Sequence, residues 1–195
     1  MRDDIAVVVL AGGEGLRIGG AKPLRRLRGE RLIDRAARQA RGWSDAVAVA
    51  LRRPGQLGEI EVETVIDETN VAGPLAGLIA ALKYARERGR TSVLTIPADT
   101  PFLPPDLPMR LDGAIGGQAC ALASSGGRLH PACGLWRASA FEQVEAYLAT
   151  GRRSLNAFAE LIGYVAVEWP GGPADPFFNI NTADELAQAE LRWTD

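Results

Sequence analysis

The chain has 195 residues, of which 47% are hydrophobic and 24% charged, the proportions of a globular protein and not of a disordered, fibrous or disulfide-framed one. A formal net charge of -2 with a pI near 5.6 supplies no global field for a nucleic acid or an anionic membrane, so an anionic partner has to be held by a local site. Two cysteines, Cys120 and Cys133, and one histidine, His130, fall short of a four-ligand structural zinc site, and without a secretory pattern they are not expected to form a disulfide.

The segment Met1–Gly13 carries two acids and an apolar run that ends in glycines, too short to span a membrane and wrongly flanked for a signal peptide; a soluble cytoplasmic protein is expected. Ile5 to Leu10 is a continuous aliphatic run, as in a strand buried on both faces of a parallel sheet. A glycine-rich loop, Ala11 to Lys22, follows directly. Leu32, Ile33, Ala36, Ala37 and Ala40 then recur at helical spacing up to Gly42, Ala46 to Leu51 reads as a second buried strand, and Val62 to Ile66 as a third.

Gly73-Pro74 opens a helix with Leu75, Leu78, Ile79 and Leu82 on one face and Gly89 as its stop. Ser92 to Ile96 is a fourth strand, ending at Pro97-Ala98-Asp99-Thr100-Pro101. Beyond Leu111 the pattern loosens: a turn region from Gly113 to Gly117, short strands at Cys120–Ala123 and Ala132–Trp136 around Gly126-Gly127, and helices at Ala138–Ala149 and Leu155–Ile162. Tyr164 to Trp169 is the last strand, Gly171 to Pro176 a loop, and Thr182 to Trp193 a terminal helix with Thr182 and Glu185 spaced as a capping box. Alternating strands and helices predict a single-domain, Rossmann-like, three-layer α/β/α fold over residues 1–195 with a mostly parallel central sheet. Active residues belong at the carboxyl ends of its strands.

The chemistry concentrates in the first loop. Lysine occurs only at Lys22 and Lys83, the other 20 basic residues being arginine, so Lys22 at the end of a glycine-rich loop stands out against the chain's own bias. Eight arginines lie between Arg17 and Arg41, opposed only by Glu30 and Asp34; glycines let backbone N–H groups approach a phosphate or base, and cations offset its charge. A P-loop needs the lysine directly after the last glycine and then Ser or Thr, but Ala21 intervenes and Pro23 follows. A dinucleotide fingerprint needs a third glycine where Ile18 stands. Arg52 and Arg53, at the end of the second strand, would suit the 2′-phosphate of NADP, which leaves an NADP-binding oxidoreductase open as an alternative.

The stretch Leu10-Ala11-Gly12-Gly13, followed by Arg17-Ile18-Gly19-Gly20 and Lys22, resembles the signature of the molybdenum cofactor guanylyltransferases, the MobA family, and less closely that of cytidylyltransferases and sugar-phosphate nucleotidylyltransferases. Gly73-Pro74-Leu75-Ala76-Gly77, Pro97 to Phe102, His130 to Trp136 and Phe177 to Thr182 extend the resemblance over nearly the whole chain. It implies a nucleotide-diphospho-sugar transferase-like fold and Mg²⁺-dependent transfer of GMP from GTP to the phosphate of Mo-molybdopterin, with release of pyrophosphate. A nucleotide-binding half of about 1–111 and an acceptor half of about 112–195 follow from it. It also implies transient contacts with proteins that deliver molybdopterin and that mature molybdoenzymes.

By the same resemblance Asp99 is the Mg²⁺ ligand, Lys22 the phosphate-binding lysine, and Arg17 the cation facing the triphosphate. Leu10, Ala11, Gly12 and Gly13 let the backbone read the base, and Asp67 lies near the nucleotide. Gly73, Pro74, Asn179 and Asn181 serve the acceptor, the two asparagines projecting to one side of an extended segment. Glycine at position 12 favours guanine, since related cytidylyltransferases tend to carry alanine there. CTP, or another phosphate acceptor, remains the alternative within the class. Trp136 reads as core; His130 lies outside the catalytic set but could border the pterin pocket.

Overall fold

The computed structural model describes residues 4–12, 22–67, 71 and 73–192. Nine strands and six α-helices are defined within them: β1 Ile5–Leu10, β2 Arg26–Leu27, β3 Glu30–Arg31, α1 Leu32–Arg41, β4 Val47–Leu51, β5 Glu63–Ile66, α2 Pro74–Glu87, β6 Ser92–Pro97, α3 Leu107–Ile115, β7 Cys120–Ser125, β8 Arg128–Arg137, α4 Val144–Ala149, α5 Leu155–Ile162, β9 Tyr164–Trp169 and α6 Ala183–Arg192. Seven strands form one sheet in the order β5-β4-β1-β6-β8-β7-β9, and β2 pairs with β3 as a separate ribbon. All neighbours in the large sheet are parallel except that β8 runs against both β6 and β7.

The alternation of side chains along a strand makes the three layers visible in β1 itself. Ile5, Val7 and Val9 pack with Ile33, Ala36 and Ala40 of α1 and Leu107, Leu111 and Ile115 of α3. Ala6 and Val8 face Leu75, Leu78 and Leu82 of α2, a layer completed by Trp136, Tyr147 and Phe158. Both faces are dry, which explains the unbroken aliphatic run. Trp136 is fully buried, as its reading as core requires.

Three expectations are corrected. The strand after Val62 was expected to be buried; β5 instead has Glu63, Thr64 and Ile66 exposed, because it forms the sheet edge and pairs only with β4. The region expected as a turn from Gly113 belongs largely to α3, whose Leu107, Leu111 and Ile115 are buried at i, i+4, i+8. Pro108 in its first turn breaks no helical hydrogen bond, and Gly113 faces open space. The two short strands around Gly126-Gly127 are a longer hairpin whose glycines take φ of +55° and +77°, the left-handed pair that a tight turn needs. Its register skips from Leu122↔Gly134 to Ala123↔His130, so Pro131, Ala132 and Cys133 form a bulge, where a residue without an N–H is tolerated.

Among the described residues no helix is long and apolar enough to cross a membrane. Cys120 and Cys133 are free and buried.

Candidate active site at the carboxyl ends of the strands

Expected site residues lie at or just beyond the carboxyl ends of β1, β5 and β6, three of the four parallel strands on one side of the sheet. Leu10 closes β1; its carbonyl accepts from Ala98 N at 3.1 Å, which ties β1 to the segment leading to Asp99. Ala11 N donates to Ala50 O at 3.0 Å, and Ala11 O accepts from the Gln56 amide at 3.3 Å. Of these backbone groups the carbonyls can still accept a second hydrogen bond, whereas the Ala11 N–H is committed.

Gly12 follows in a conformation open to any residue, yet a Cβ there would lie 2.2 Å from Asp67 Oδ2, so a larger residue would displace that carboxylate. Asp67 directly follows β5, its N–H bonded to Leu51 O at 2.7 Å. Its carboxylate is buried, with Oδ1 lacking a hydrogen-bond partner among the described residues and lying 3.5 Å from where a Cβ on Gly77 would be. Burial pushes the Asp67 pKa up, and the nearby Arg52 guanidinium offsets part of that shift. Arg52 therefore works toward Asp67, and its backbone N–H is bound by Gln56.

Asp99 stands two residues beyond β6. Its Oδ2 forms an ion pair with Lys22 Nζ, and both side chains keep a strip of surface, 18% and 14% exposed. Lys22 also donates to Asn181 Oδ1 at 2.7 Å. Thr100 Oγ1 donates to Asn179 Oδ1 at 2.6 Å and lies 3.4 Å from Asp99 Oδ1. Ile180 N donates to Asp99 O at 3.0 Å, so the segment 179–181 is laced to the Asp99 loop along its length. Ile180 is buried with Leu27, Leu32 and Ala189, beside Phe102, Phe178 and Leu186, which anchors the segment from below.

The capping box on α6 forms as expected. Glu185 N donates to Thr182 Oγ1 at 3.1 Å, and Glu185 Oε2 accepts from Thr182 N at 2.8 Å and from Asn181 N at 2.6 Å. One glutamate thus caps the helix and fixes the backbone of a site residue. Gly73 precedes α2 with φ +78°, ψ -165°, a conformation open in practice to glycine alone, and Pro74 occupies the first turn, where its missing N–H costs nothing. Gly77, one turn on, lets α2 approach β1 closely, since a Cβ would lie 2.9 Å from Leu10 Cδ2. Gly13 and Arg17, two further expected site residues, lie outside the described residues.

Lys22, Asp99 and Asn181 are thus in direct contact, Asn179 joins them through Thr100, and Gly12 and Asp67 touch one another under the neighbouring strands. Thr100, Gln56, Gly77 and the backbone role of Glu185 were not read as part of the site. Thr100 carried the available signal, because it stands beside Asp99 in a proline-fixed loop.

No group of three or more His, Cys, Asp or Glu side chains among the described residues could cage a metal. One carboxylate beside hydroxyl and amide oxygens is nevertheless a fitting donor set for a hard cation that keeps waters and binds substrate phosphates. Neither thiol is a candidate nucleophile: burial pushes Cys120 up to about 12 and Cys133 well above its ordinary value.

The description "MobA-like NTP transferase domain" matches residues 7–162. This chain belongs to the MobA-like NTP transferase family.

A curated member from Cereibacter sphaeroides, named molybdenum cofactor guanylyltransferase, is 38% identical over 185 residues, covering 94% of each chain. The crystal structure of molybdopterin-guanine dinucleotide biosynthesis protein A from Archaeoglobus fulgidus superposes with a TM-score of 0.78 at 27% identity, covering 95% of this chain and 97% of that one. A 4-diphosphocytidyl-2C-methyl-D-erythritol synthase from Anaerococcus prevotii, at TM-score 0.73 and 13% identity over 96% and 94% of the chains, shares the fold. As a MobA-like NTP transferase the protein is a nucleotidyltransferase, on the nucleotide-diphospho-sugar transferase-like fold that the resemblance implied.

Proposed function

We propose that this protein transfers GMP from GTP to the terminal phosphate of Mo-molybdopterin. An oxygen of the acceptor phosphate attacks the α-phosphorus of GTP, a new P–O bond forms, and the bond to the bridging oxygen breaks as pyrophosphate leaves with the electron pair. The attacking group is already an anion, so the enzyme needs no serine, cysteine or histidine nucleophile. Its work is to align two polyanions and neutralise their charge.

The observation that carries this reading is the contact of Lys22 with both Asp99 and Asn181 at the carboxyl ends of the strands. A cation for phosphate and a carboxylate for metal hold each other in place, and the acceptor segment is bound to both. Lys22 is placed to turn to the oxygens of an entering triphosphate, which would free the Asp99 carboxylate to hold a metal ion. Mg²⁺, held by Asp99 and the phosphate oxygens, would supply further charge neutralisation at the transferring and leaving groups. Arg17 adds a second cation toward the leaving pyrophosphate.

Leu10, Ala11, Gly12 and Gly13 line the base, with the Asp67 carboxylate behind Gly12. Gly73 and Pro74 present the first turn of α2 toward the acceptor, where the positive end of the helix favours a phosphate. Residues 1 to about 111 form the nucleotide half and about 112–195 the acceptor half. GTP as donor places the reaction in the cytoplasm, with transient docking of the proteins that bring molybdopterin and take the dinucleotide away.

The test gives the purified protein Mg²⁺, molybdenum cofactor and GTP, CTP or ATP separately, and follows pyrophosphate and dinucleotide. Product with GTP alone is expected. Product with CTP and none with GTP would overturn the guanine assignment, and Mg²⁺-independent turnover would overturn the metal.

A further inference from the structure

The chain's single histidine sits outside the site just described, in a connected set of polar groups that the transfer reaction does not use. His130 Nε2 lies 2.7 Å from Ser125 Oγ, and Ser125 Oγ lies 3.0 Å from Asp175 Oδ2. The other oxygen of Asp175 accepts from Phe177 N at 2.8 Å, and the His130 ring stacks on Phe177 with centroids 4.7 Å apart.

Three residue types common in hydrolases are present, but serine occupies the middle. A hydroxyl has one proton. Given to Asp175, which can only accept while ionised, it leaves the Ser125 oxygen to accept from His130 Nε2–H. Donation therefore runs from His130 through Ser125 to Asp175, whose other oxygen accepts from the backbone N–H of Phe177. Ser125 is buried and its proton is committed to Asp175, an arrangement suited to a mechanical role.

Phe177 is two residues before Asn179. We propose that Ser125, His130 and Asp175 are positioning residues for the acceptor: they clasp the 175–178 segment to the β7–β8 hairpin and thereby set Asn179 and Asn181 against Thr100 and Lys22. The inference rests on the assignment of those asparagines to the acceptor.

Further contacts hold the hairpin against the chain that leads into this segment. Gly171 packs so closely on Gly126 that a Cβ would lie 2.9 Å from Gly126 N. Glu168 accepts from Ser124 Oγ at 2.5 Å and from Gly127 N at 3.3 Å. On the opposite side Arg192 of α6 donates to Asp175 O at 2.9 Å and covers the Phe102 and Phe178 rings at 4.3 and 5.3 Å. The segment is held between hairpin and helix, and the bulge at Pro131–Cys133 sets His130 at the hairpin's end of that grip.

The donor chain makes a discriminating prediction. Ser125→Ala and Asp175→Ala break it. Asp175→Asn preserves it in reverse: the amide oxygen still accepts from Phe177 N–H, the amide N–H₂ donates to Ser125, and Ser125 donates to neutral His130. Under the GTP and Mg²⁺ assay, S125A and D175A are expected to raise the KM for molybdenum cofactor about three- to tenfold, the scale of one lost hydrogen bond. The affinity for GTP stays within about twofold, and D175N restores the KM.

Hydrogen exchange provides a readout independent of turnover: peptides covering residues 177–181 exchange faster in S125A and D175A, while those covering α1 do not. Unchanged exchange at 177–181, or GTP affinity falling in step with the acceptor KM, overturns the positioning role. Faster exchange with no change in acceptor KM while wild-type protein turns over overturns the link from clasp to acceptor. Absence of dinucleotide from wild-type protein is instead a failure of the proposed function, and leaves the clasp to be judged by exchange alone.

Discussion

Asp67 and Asp99 close two strands of one sheet, yet their surroundings are opposite. Asp67 follows an edge strand but is buried, with Oδ1 unpartnered among the described residues and its pKa pushed up by desolvation. Asp99 follows a central strand but keeps part of its surface and is held by Lys22, with Thr100 and Asn179 beside it. The difference lies in what stands opposite each carboxylate. Gly12 and Gly77 let backbone and helix close over Asp67, whereas Lys22 and the 179–181 segment reach Asp99 with polar side chains. A carboxylate walled in by glycines is confined; one paired with a lysine at the surface has a partner it can exchange, as the proposed function requires.

The largest way to break this comparison is to remove the exchangeable carboxylate. Asp99→Ala is expected to lower turnover by about a thousandfold or more, the scale on which removal of preorganised charge stabilisation acts. The fold should survive, because the Asp99 backbone carbonyl still accepts from Ile180 N. Pyrophosphate release and thermal unfolding, measured on the same preparation, check the two halves of that statement. Residual activity above a tenth of wild type would deny Asp99 its place in the reaction.

Gly12→Ala attacks the other side. The new methyl would lie 2.2 Å from Asp67 Oδ2, so the buried carboxylate has to shift. Overpacking of this kind costs about 1–3 kcal/mol. In an Asp67→Ala background most of that cost should vanish, since the clashing atom is gone, and a double-mutant cycle by denaturant unfolding should return a coupling of about 1 kcal/mol or more. Additive effects would mean that the two residues do not bear on one another.

This asymmetry also explains how much of the molecule was legible in the sequence. The strand that leads to Gly12 is a continuous aliphatic run, and Lys22 is one of two lysines in a chain whose other basic residues are arginine; both are local signals. Asp99 was legible because prolines mark its loop. Helix α3 was missed because Pro108 and Gly113 mask its 107, 111, 115 spacing, and the exposure of β5 depends on sheet order, which no single strand encodes. The clasp of Ser125, His130 and Asp175 spans 50 residues of chain, and Thr100 and Asn179 meet across 79. Such contacts are made by topology and leave no periodicity to read.

A smaller effect probes the support of the Asp99 side. Glu185 caps α6 and also accepts from Asn181 N. Glu185→Ala should cost about 1 kcal/mol, as capping residues do, and lower the Tm by about 2–4 °C for a chain of this size. It should also raise the acceptor KM, because Asn181 loses the bond that fixes its backbone. A fall in Tm with unchanged KM would confine Glu185 to the helix.

The smallest expected change has the opposite sign and belongs to Asp67. Its folded pKa is raised above the unfolded carboxyl value of about 3.9. Between those two values the folded protein holds a proton that the unfolded chain has lost, so stability falls as pH rises through that window and stays lower above it. Asp67→Asn replaces the carboxyl with a neutral group of the same shape and removes this dependence. The variant should gain stability over wild type at neutral pH, by less than the Glu185→Ala loss because Arg52 already offsets part of the desolvation, and the gain should shrink as pH falls toward 4. Thermal unfolding of both proteins across that range decides it. A difference independent of pH would mean that Asp67 is not strained by its charge, and the contrast with Asp99 would then be one of shape alone.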